Sequence, residues 1–148
     1  MKYLLDTDHL SILQRQTGES YRHLSRRIAL HSPSEFALSI VTFHEQMLGG
    51  HAYINQARTS DKVVKGYEMM MRIVSDFRTS PVIPFDTKAA SIHSNLKSQK
   101  LQIAKMDARI AAVALSHQLI LLTRNRRDFS KISDLAIEDW TISEDISV

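Results

Sequence analysis

The sequence predicts an α/β fold of three layers, α/β/α, around a mostly parallel central sheet of four to five strands. Three observations carry this. Short apolar runs at Tyr3-Leu4-Leu5, Phe36 to Val41 and Leu119 to Leu122 have the length and continuity of strands buried on both faces. Segments with a helical apolar period separate them, and strands alternating with helices build a parallel sheet covered on both sides. The length, 148 residues, is that of one domain, 1-148, and no repeat, low-complexity tract or linker divides it.

Residues 2–5 read as the first buried strand. Thr7-Asp8 can cap a helix from about His9 to Gln16, and Gly18 ends it. Ser20 to His31 is a basic second helix, followed by a turn at Ser32-Pro33-Ser34. Residues 36–41 form the second strand, and Thr42-Phe43-His44-Glu45 has the Ser/Thr-x-x-Glu pattern of a capping box. The helix it opens reaches Gly49-Gly50 and resumes through His51 to Arg58. Asp61 to Phe77 is a long helix with Val64, Tyr67, Met71 and Val74 on its apolar face, and its methionines 69–71 read as core or as a protein interface. Pro81 to Phe85 is a short edge strand, because its prolines cannot serve a central one. Asp86 caps the next helix, to about Leu101. An apolar helix from Asp107 to His117, the strand at 119–122 and a weak last strand at Ala136-Ile137 complete the chain.

Composition narrows the chemistry. With no cysteine, thiol nucleophiles, disulfides and thiolate metal sites are excluded. No run approaches the roughly 18 apolar residues of a membrane helix, and the apolar part of the N-terminus is too short for a signal peptide, so the expected setting is cytoplasmic. The net charge of +3 is unevenly spread. Asp134 to Val148 holds five acidic residues and no Lys or Arg, which leaves residues 1–133 with 19 basic and 11 acidic residues, or +8. A basic body around an acidic site suits a polyanionic substrate, while charge alone equally describes solvated helix faces and a loose acidic tail.

Four acidic residues stand beside the apolar runs. Asp6 closes the first strand; Glu45 follows the second; Asp107 opens the apolar helix; Asp128 follows the strand at 119–122. Clustered carboxylates repel one another unless a divalent cation neutralises them, which points to metal-dependent phosphate chemistry. Right-handed crossovers bring strand-to-helix loops to one sheet edge, where α/β folds bind ligands. Asp6, Glu45 and Asp128 should face that edge. Asp107 precedes a helix, and its position alone does not bring it there.

Each has a structural reading as well. Asp6 can be a helix cap, although Asp8 is the better-placed one. The capping box alone accounts for Glu45, and His44 beside it could make a metal-free acid–base pair. Asp107 sits where a helix dipole favours an anion, and Lys105 and Arg109 could pair with it or hold a phosphate. Thr123-Arg124-Asn125-Arg126-Arg127-Asp128-Phe129 is the densest segment: a solvated turn, or a place where Asp128 and Asn125 hold a metal while arginines grip phosphates. Asp61, Asp76 and Asp86 read as structural. The seven histidines have no His-x-x-x-His or His-x-His spacing, against a zinc site. Neither phosphate-binding glycine fingerprint is present.

Leu4 to Asp8, Ser39 to Glu45, Asp107 to Ala112 and Leu122 to Phe129, with the ending Ile137-Glu138-Asp139-Trp140, occur in the order of a PIN-domain ribonuclease. Over nearly its whole length the chain resembles a VapC-type toxin of a type II toxin–antitoxin system. The resemblance implies a PIN-like fold and a Mg²⁺- or Mn²⁺-dependent endoribonuclease. Asp6, Glu45, Asp107 and Asp128 would be its catalytic acids and, with Asn125, its metal ligands. Arg124, Arg126, Arg127, Arg109 and Lys105 would meet substrate phosphates. Thr7, Asp8 and Thr123 would stand behind the ligands; Asp8 occupies a position where relatives often carry Asn, so it either caps or adds a further acid to the mouth. The resemblance also brings Asp107 into the shared pocket. It further implies an RNA substrate, a VapB-type antitoxin and a homodimer, with the helix at 61–77 and the helices of residues 9–31 as apolar docking surfaces. Two other readings fit parts of the chain. Asp6-Thr7-Asp8 resembles the start of a haloacid-dehalogenase-like phosphatase with Asp6 as nucleophile, though Leu10 stands where Thr or Val is usual and no paired late Asp motif follows. A non-catalytic RNA- or protein-binding module on the same fold would have no need of four acids.

Overall fold

A computed structural model describes residues 1–143; Glu144 and Asp145 of the acidic C-terminal segment lie outside the described residues. Five strands form one sheet: β1 (Tyr3–Leu5), β2 (Phe36–Ser39), β3 (Val82–Ile83), β4 (Ile120–Leu122) and β5 (Ile137–Glu138). Their order is β3-β2-β1-β4-β5 and every pairing is parallel. The seven α-helices among the described residues are α1 (Thr7–Arg15), α2 (Glu19–Ile28), α3 (Ile40–Gln56), α4 (Ser60–Arg78), α5 (Thr87–Ser98), α6 (Lys105–Ser116) and α7 (Arg126–Phe129). None is long and apolar enough to cross a membrane.

Alternation along the strands divides the core into two layers. Leu4, Ala37 and Leu121 face one side with Ile110 to Ala114, Ala89 and Leu96. Tyr3, Leu5, Phe36, Leu38 and Leu122 face the other, with Leu10, Leu24, Ile73, Phe77 and Trp140. From β1 the chain moves outward through β2 to β3, then returns to β4 on the opposite side of β1. The strand order therefore reverses between β1 and β4, and the crevice at their carboxyl ends is where such sheets take ligands.

The structure corrects four local expectations. Strand β2 ends at Ser39, not Val41, because the Ser39 hydroxyl accepts the Val41 N–H at 3.0 Å and starts α3 there. Thr42 to Glu45 is consequently no capping box. Ser39→Ala should lower stability by about 1 kcal/mol, the usual worth of such a cap, in chemical denaturation. Gly49-Gly50 does not interrupt α3; Gly50 is buried where α4 crosses, and a Cβ there would stand 3.1 Å from Met70 Cγ. At Gly66 the same two helices approach so closely that any Cβ would collide with Ile54. That approach buries the Gly66, Ile73 and Phe77 side of α4, so Val64, Tyr67, Met71 and Val74 are exposed rather than core. Lastly, α1 is capped by Asp6, whose carboxylate accepts the Thr7 N–H at 2.8 Å, and Asp8 lies inside the first turn. As expected, Asp86 caps α5 through the Ala89 N–H, and β3 is an edge strand.

Candidate active site

Asp6 leaves β1 at the reversal point, buried to 5% exposure. One oxygen caps α1; the other accepts the Thr123 hydroxyl at 2.7 Å, across from the end of β4. Thr7 turns the other way and donates to Glu45 Oε1 at 2.7 Å, with the buried Thr42 hydroxyl at 3.2 Å. Glu45 is thus tied to the mouth and not to its own helix start, so the structural reading of that residue falls away. Asn125 spans the opposite side. Its amide donates to Asp107 Oδ2 at 3.2 Å and to Asp128 Oδ2 at 3.1 Å, while its carbonyl caps α7 by accepting the Asp128 N–H. All four predicted acids and Asn125 therefore share one mouth, and Asp107 reaches it because α6 begins beside the β1–β4 crevice.

The electrostatics record that crowding. Burial and the neighbouring Asp8 push the Asp6 carboxyl up from 3.8 to about 7. Burial, then Glu45 and Asp128, also raise Asp107. Asp128 goes the other way, because Asn125 and Lys131 stabilise its charge. Lys131, whose ammonium lies 3.3 Å from Asp128, is a residue that sequence reasoning misses; its only signal there is the three-residue spacing on a helical turn. Thr42, which reads as a helix cap in the sequence, is likewise missed as a partner of Thr7.

Asp8 caps no helix but bridges α1 to the turn after β4. Its oxygens lie 2.7 Å from His9 Nδ1 and 3.0 Å from the Arg124 N–H.

The five basic residues expected on phosphates do not converge. Arg126 and Arg127 are on α7, and Arg127, which is exposed, also meets Asp128 at 3.4 Å. Arg124 faces a small cavity beside Arg15 and Glu19. Lys105 and Arg109 flank Asp107 at two residues on either side, which on a helix is the opposite flank. They line a separate cavity with His93 and Lys97, whose positive charges hold the His93 pKa down after burial has lowered it. The expected pairing of Asp107 with Lys105 or Arg109 is not among the ion pairs of the described residues.

The mouth offers only oxygen donors from acids, hydroxyls and an amide, the set that suits a hard divalent cation. Among the described residues, no three acidic or histidine side chains close on a single point as a ready-made cage. A Mg²⁺-like ion needs none, since it keeps several waters and takes one or two carboxylates. Mutual repulsion among Asp6, Asp107 and their neighbours is what such an ion would relieve, so the donor set fits.

No family model matches the chain. It is 27% identical over 144 residues to the tRNA(fMet)-specific endonuclease VapC of Salmonella typhimurium, covering 95% of this chain and 98% of that protein. It is 25% identical over 147 residues to ribonuclease VapC1 of Haemophilus influenzae, covering 95% and 99%. The fold matches that of the DNA-bound VapBC structure from Salmonella typhimurium with a TM-score of 0.75 at 24% identity, over 95% of this chain and 98% of that one. The five-stranded parallel sheet with helices on both faces is the PIN-like architecture. Within that class, the chain resembles VapC proteins from end to end in sequence and in fold.

Proposed function

We propose that this protein is an endoribonuclease, the toxin of a type II toxin–antitoxin pair, and that it cuts RNA with the help of Mg²⁺ or Mn²⁺. The observation that carries this is the meeting of Asp6, Glu45, Asp107 and Asp128 in one mouth of a chain otherwise basic, supported by the full-length likeness to nucleases of the same size.

Asp6 and Asp107 are the principal cation ligands in this reading, with Glu45, Asp128 and Asn125 completing the set. A bound divalent cation supplies Lewis-acid polarisation of the scissile phosphate and an activated water at neutral pH. The chain's own residues do the rest. Thr7 fixes Glu45, Thr123 fixes Asp6, and the Asn125 amide bridges Asp107 and Asp128. Arg126 and Arg127 stand beside the mouth for an adjacent phosphate. Lys105 and Arg109, with Lys97, receive a more distant one in their own cavity. Such contacts position the strand without choosing sequence. The expected products are a 5′-phosphate and a 3′-hydroxyl.

A VapB-type antitoxin belongs to the same reading, because the similar structures are VapBC complexes. A groove of about 660 Å³ lined by Leu10, Leu13, Ile28 and Phe36 could take an apolar segment of it. The exposed Val64, Tyr67, Met71 and Val74 on α4 are the candidate surface for a second copy.

The test is incubation of purified protein with RNA and Mg²⁺ or Mn²⁺, followed by mapping of the new ends. Cuts bearing 5′-phosphates, abolished by a chelator and reduced at least about 100-fold by Asp107→Asn, are expected. Cleavage that survives both the chelator and the substitution would refute the reading.

A further inference from the structure

We propose that His9 is a positioning residue of this site: its buried imidazole, anchored on the Trp140 backbone, holds Asp8 and through Asp8 the turn of residues 123–125 that carries Thr123 and Asn125. The inference rests on the nuclease reading above.

His9 is wholly buried, with 0% exposure. Its Nε2 lies 3.2 Å from the backbone N–H of Trp140. A backbone N–H can only donate, so Nε2 is the bare, accepting nitrogen. The proton of the neutral ring then sits on Nδ1, which donates to Asp8 Oδ1 at 2.7 Å. Asp139 is the other acid facing the ring, at 3.8 Å from Nε2, but its Oδ1 already accepts the Thr141 N–H at 2.9 Å and the Thr141 hydroxyl at 2.6 Å. The tautomer is thus fixed by partners on both sides, as it is where a histidine serves to orient a neighbouring group.

What His9 orients matters for the mouth. The second oxygen of Asp8 accepts the Arg124 N–H at 3.0 Å and lies 3.3 Å from the Thr123 hydroxyl. Thr123 in turn donates to Asp6 and accepts the Asn125 N–H at 3.0 Å. Asn125 joins Asp107 to Asp128. A continuous line of hydrogen bonds therefore runs from the Trp140 backbone through His9, Asp8 and Arg124 to the residues beside the candidate cation. With one oxygen held by His9 and the other by the Arg124 amide, Asp8 anchors the turn, while its charge still bears on Asp6 and Asp107.

Two substitutions separate the two halves of this imidazole. In His9→Asn the amide nitrogen takes the place of Nδ1 and keeps the donor to Asp8, but nothing reaches Trp140. In His9→Gln the side chain reaches the Nε2 position and keeps the acceptor for Trp140, but offers no donor to Asp8. Both variants should melt below the wild type. His9→Gln should lower kcat about 10-fold or more with KM unchanged, and His9→Asn should keep kcat within about threefold, as expected for loss or retention of an outer hydrogen bond at a metal site. In an Asp8→Ala background, His9→Gln should add less than about a twofold further loss, because it acts through Asp8. Nitrogen NMR of the metal-free protein should find the Nδ1-protonated tautomer of His9. The Asn125 side-chain amide should shift in His9→Gln and stay in place in His9→Asn. Equal kcat losses in the two variants, a His9→Gln effect undiminished by Asp8→Ala, or a bare Nδ1 would each overturn the proposal. The NMR measurements need no RNA, so a wild type that cleaves nothing counts against the nuclease reading while the tautomer and the Asn125 shift still decide the role of His9.

Discussion

Replacing Asp6 by asparagine should abolish RNA cleavage and, at neutral pH, raise the melting temperature of the metal-free protein. The two effects share a cause. Asp6 is buried next to Asp8, and its carboxyl is pushed up from 3.8 to about 7. A group that holds its proton more tightly when folded favours the folded state fully at low pH. That advantage disappears as pH rises through its folded value. In the wild type, Asp6 therefore weighs against folding increasingly between pH 4 and pH 7, by an amount on the order of 4 kcal/mol at the upper end. The amide introduced by Asp6→Asn does not ionise, and its oxygen can still accept the Thr7 N–H. The stability difference between variant and wild type should be small near pH 4 and grow to several degrees in Tm above pH 7. Unfolding followed at both pH values checks it; a variant less stable than wild type at pH 7.5, or a difference that ignores pH, would sink it. Saturating Mg²⁺ or Mn²⁺ should stabilise the wild type and leave Asp6→Asn nearly unmoved.

Trp140→Ala should be the most destabilising single change, costing about 3–5 kcal/mol as for other buried aromatic truncations. Trp140 has 0% exposure and closes the sheet face that holds Tyr3, Phe36 and His31, at ring separations of 4.8, 5.8 and 5.1 Å. Arg27 lies over its ring at 4.5 Å, and its indole N–H donates to Glu138 at 3.1 Å. Truncation empties that volume and removes the seat of the cation. In urea the midpoint should fall sharply with the slope unchanged; a loss below about 1.5 kcal/mol would contradict this account of the C-terminal segment. Trp140→Phe should recover most of the loss, since it gives up only the indole hydrogen bond and part of the ring.

Much of this architecture is legible in the sequence because its strands are continuous apolar runs, a pattern that buried parallel strands impose and that few alternatives share. Asp86 and the edge strand at Val82–Ile83 announce themselves by residue type. The differences arise where two residues could serve one local purpose. Ser39 and Thr42 both suit a cap, and only the packing of Val41 and Thr42 beneath the helix selects Ser39. Asp6 and Asp8 both suit the start of α1, and the choice is made by Thr123 and His9, 117 positions from Asp6 and one position from Asp8 respectively. The apolar residues of α4 do form one face, but Gly66, which has no side chain to register in any periodicity, decides which face packs inward. Asp6, Glu45 and Asp128 are readable in the mouth because they follow strands, whereas Asp107 opens a helix and only the family resemblance brings it there. The scatter of the basic residues is not readable, since Lys105 and Arg109 are neighbours of Asp107 in the chain and strangers to it on the helix.

The hydrogen bond between Thr123 and Asp6 joins positions 117 apart, and the strands that carry them lie side by side at the centre of the sheet. A chain still emerging from the ribosome holds Asp6 and Glu45 long before it holds Asp128. Its oxygen donors stay scattered until translation is nearly complete. On the nuclease reading proposed above, no cation could be held and no RNA cut until the late strand and its turn have left the exit tunnel.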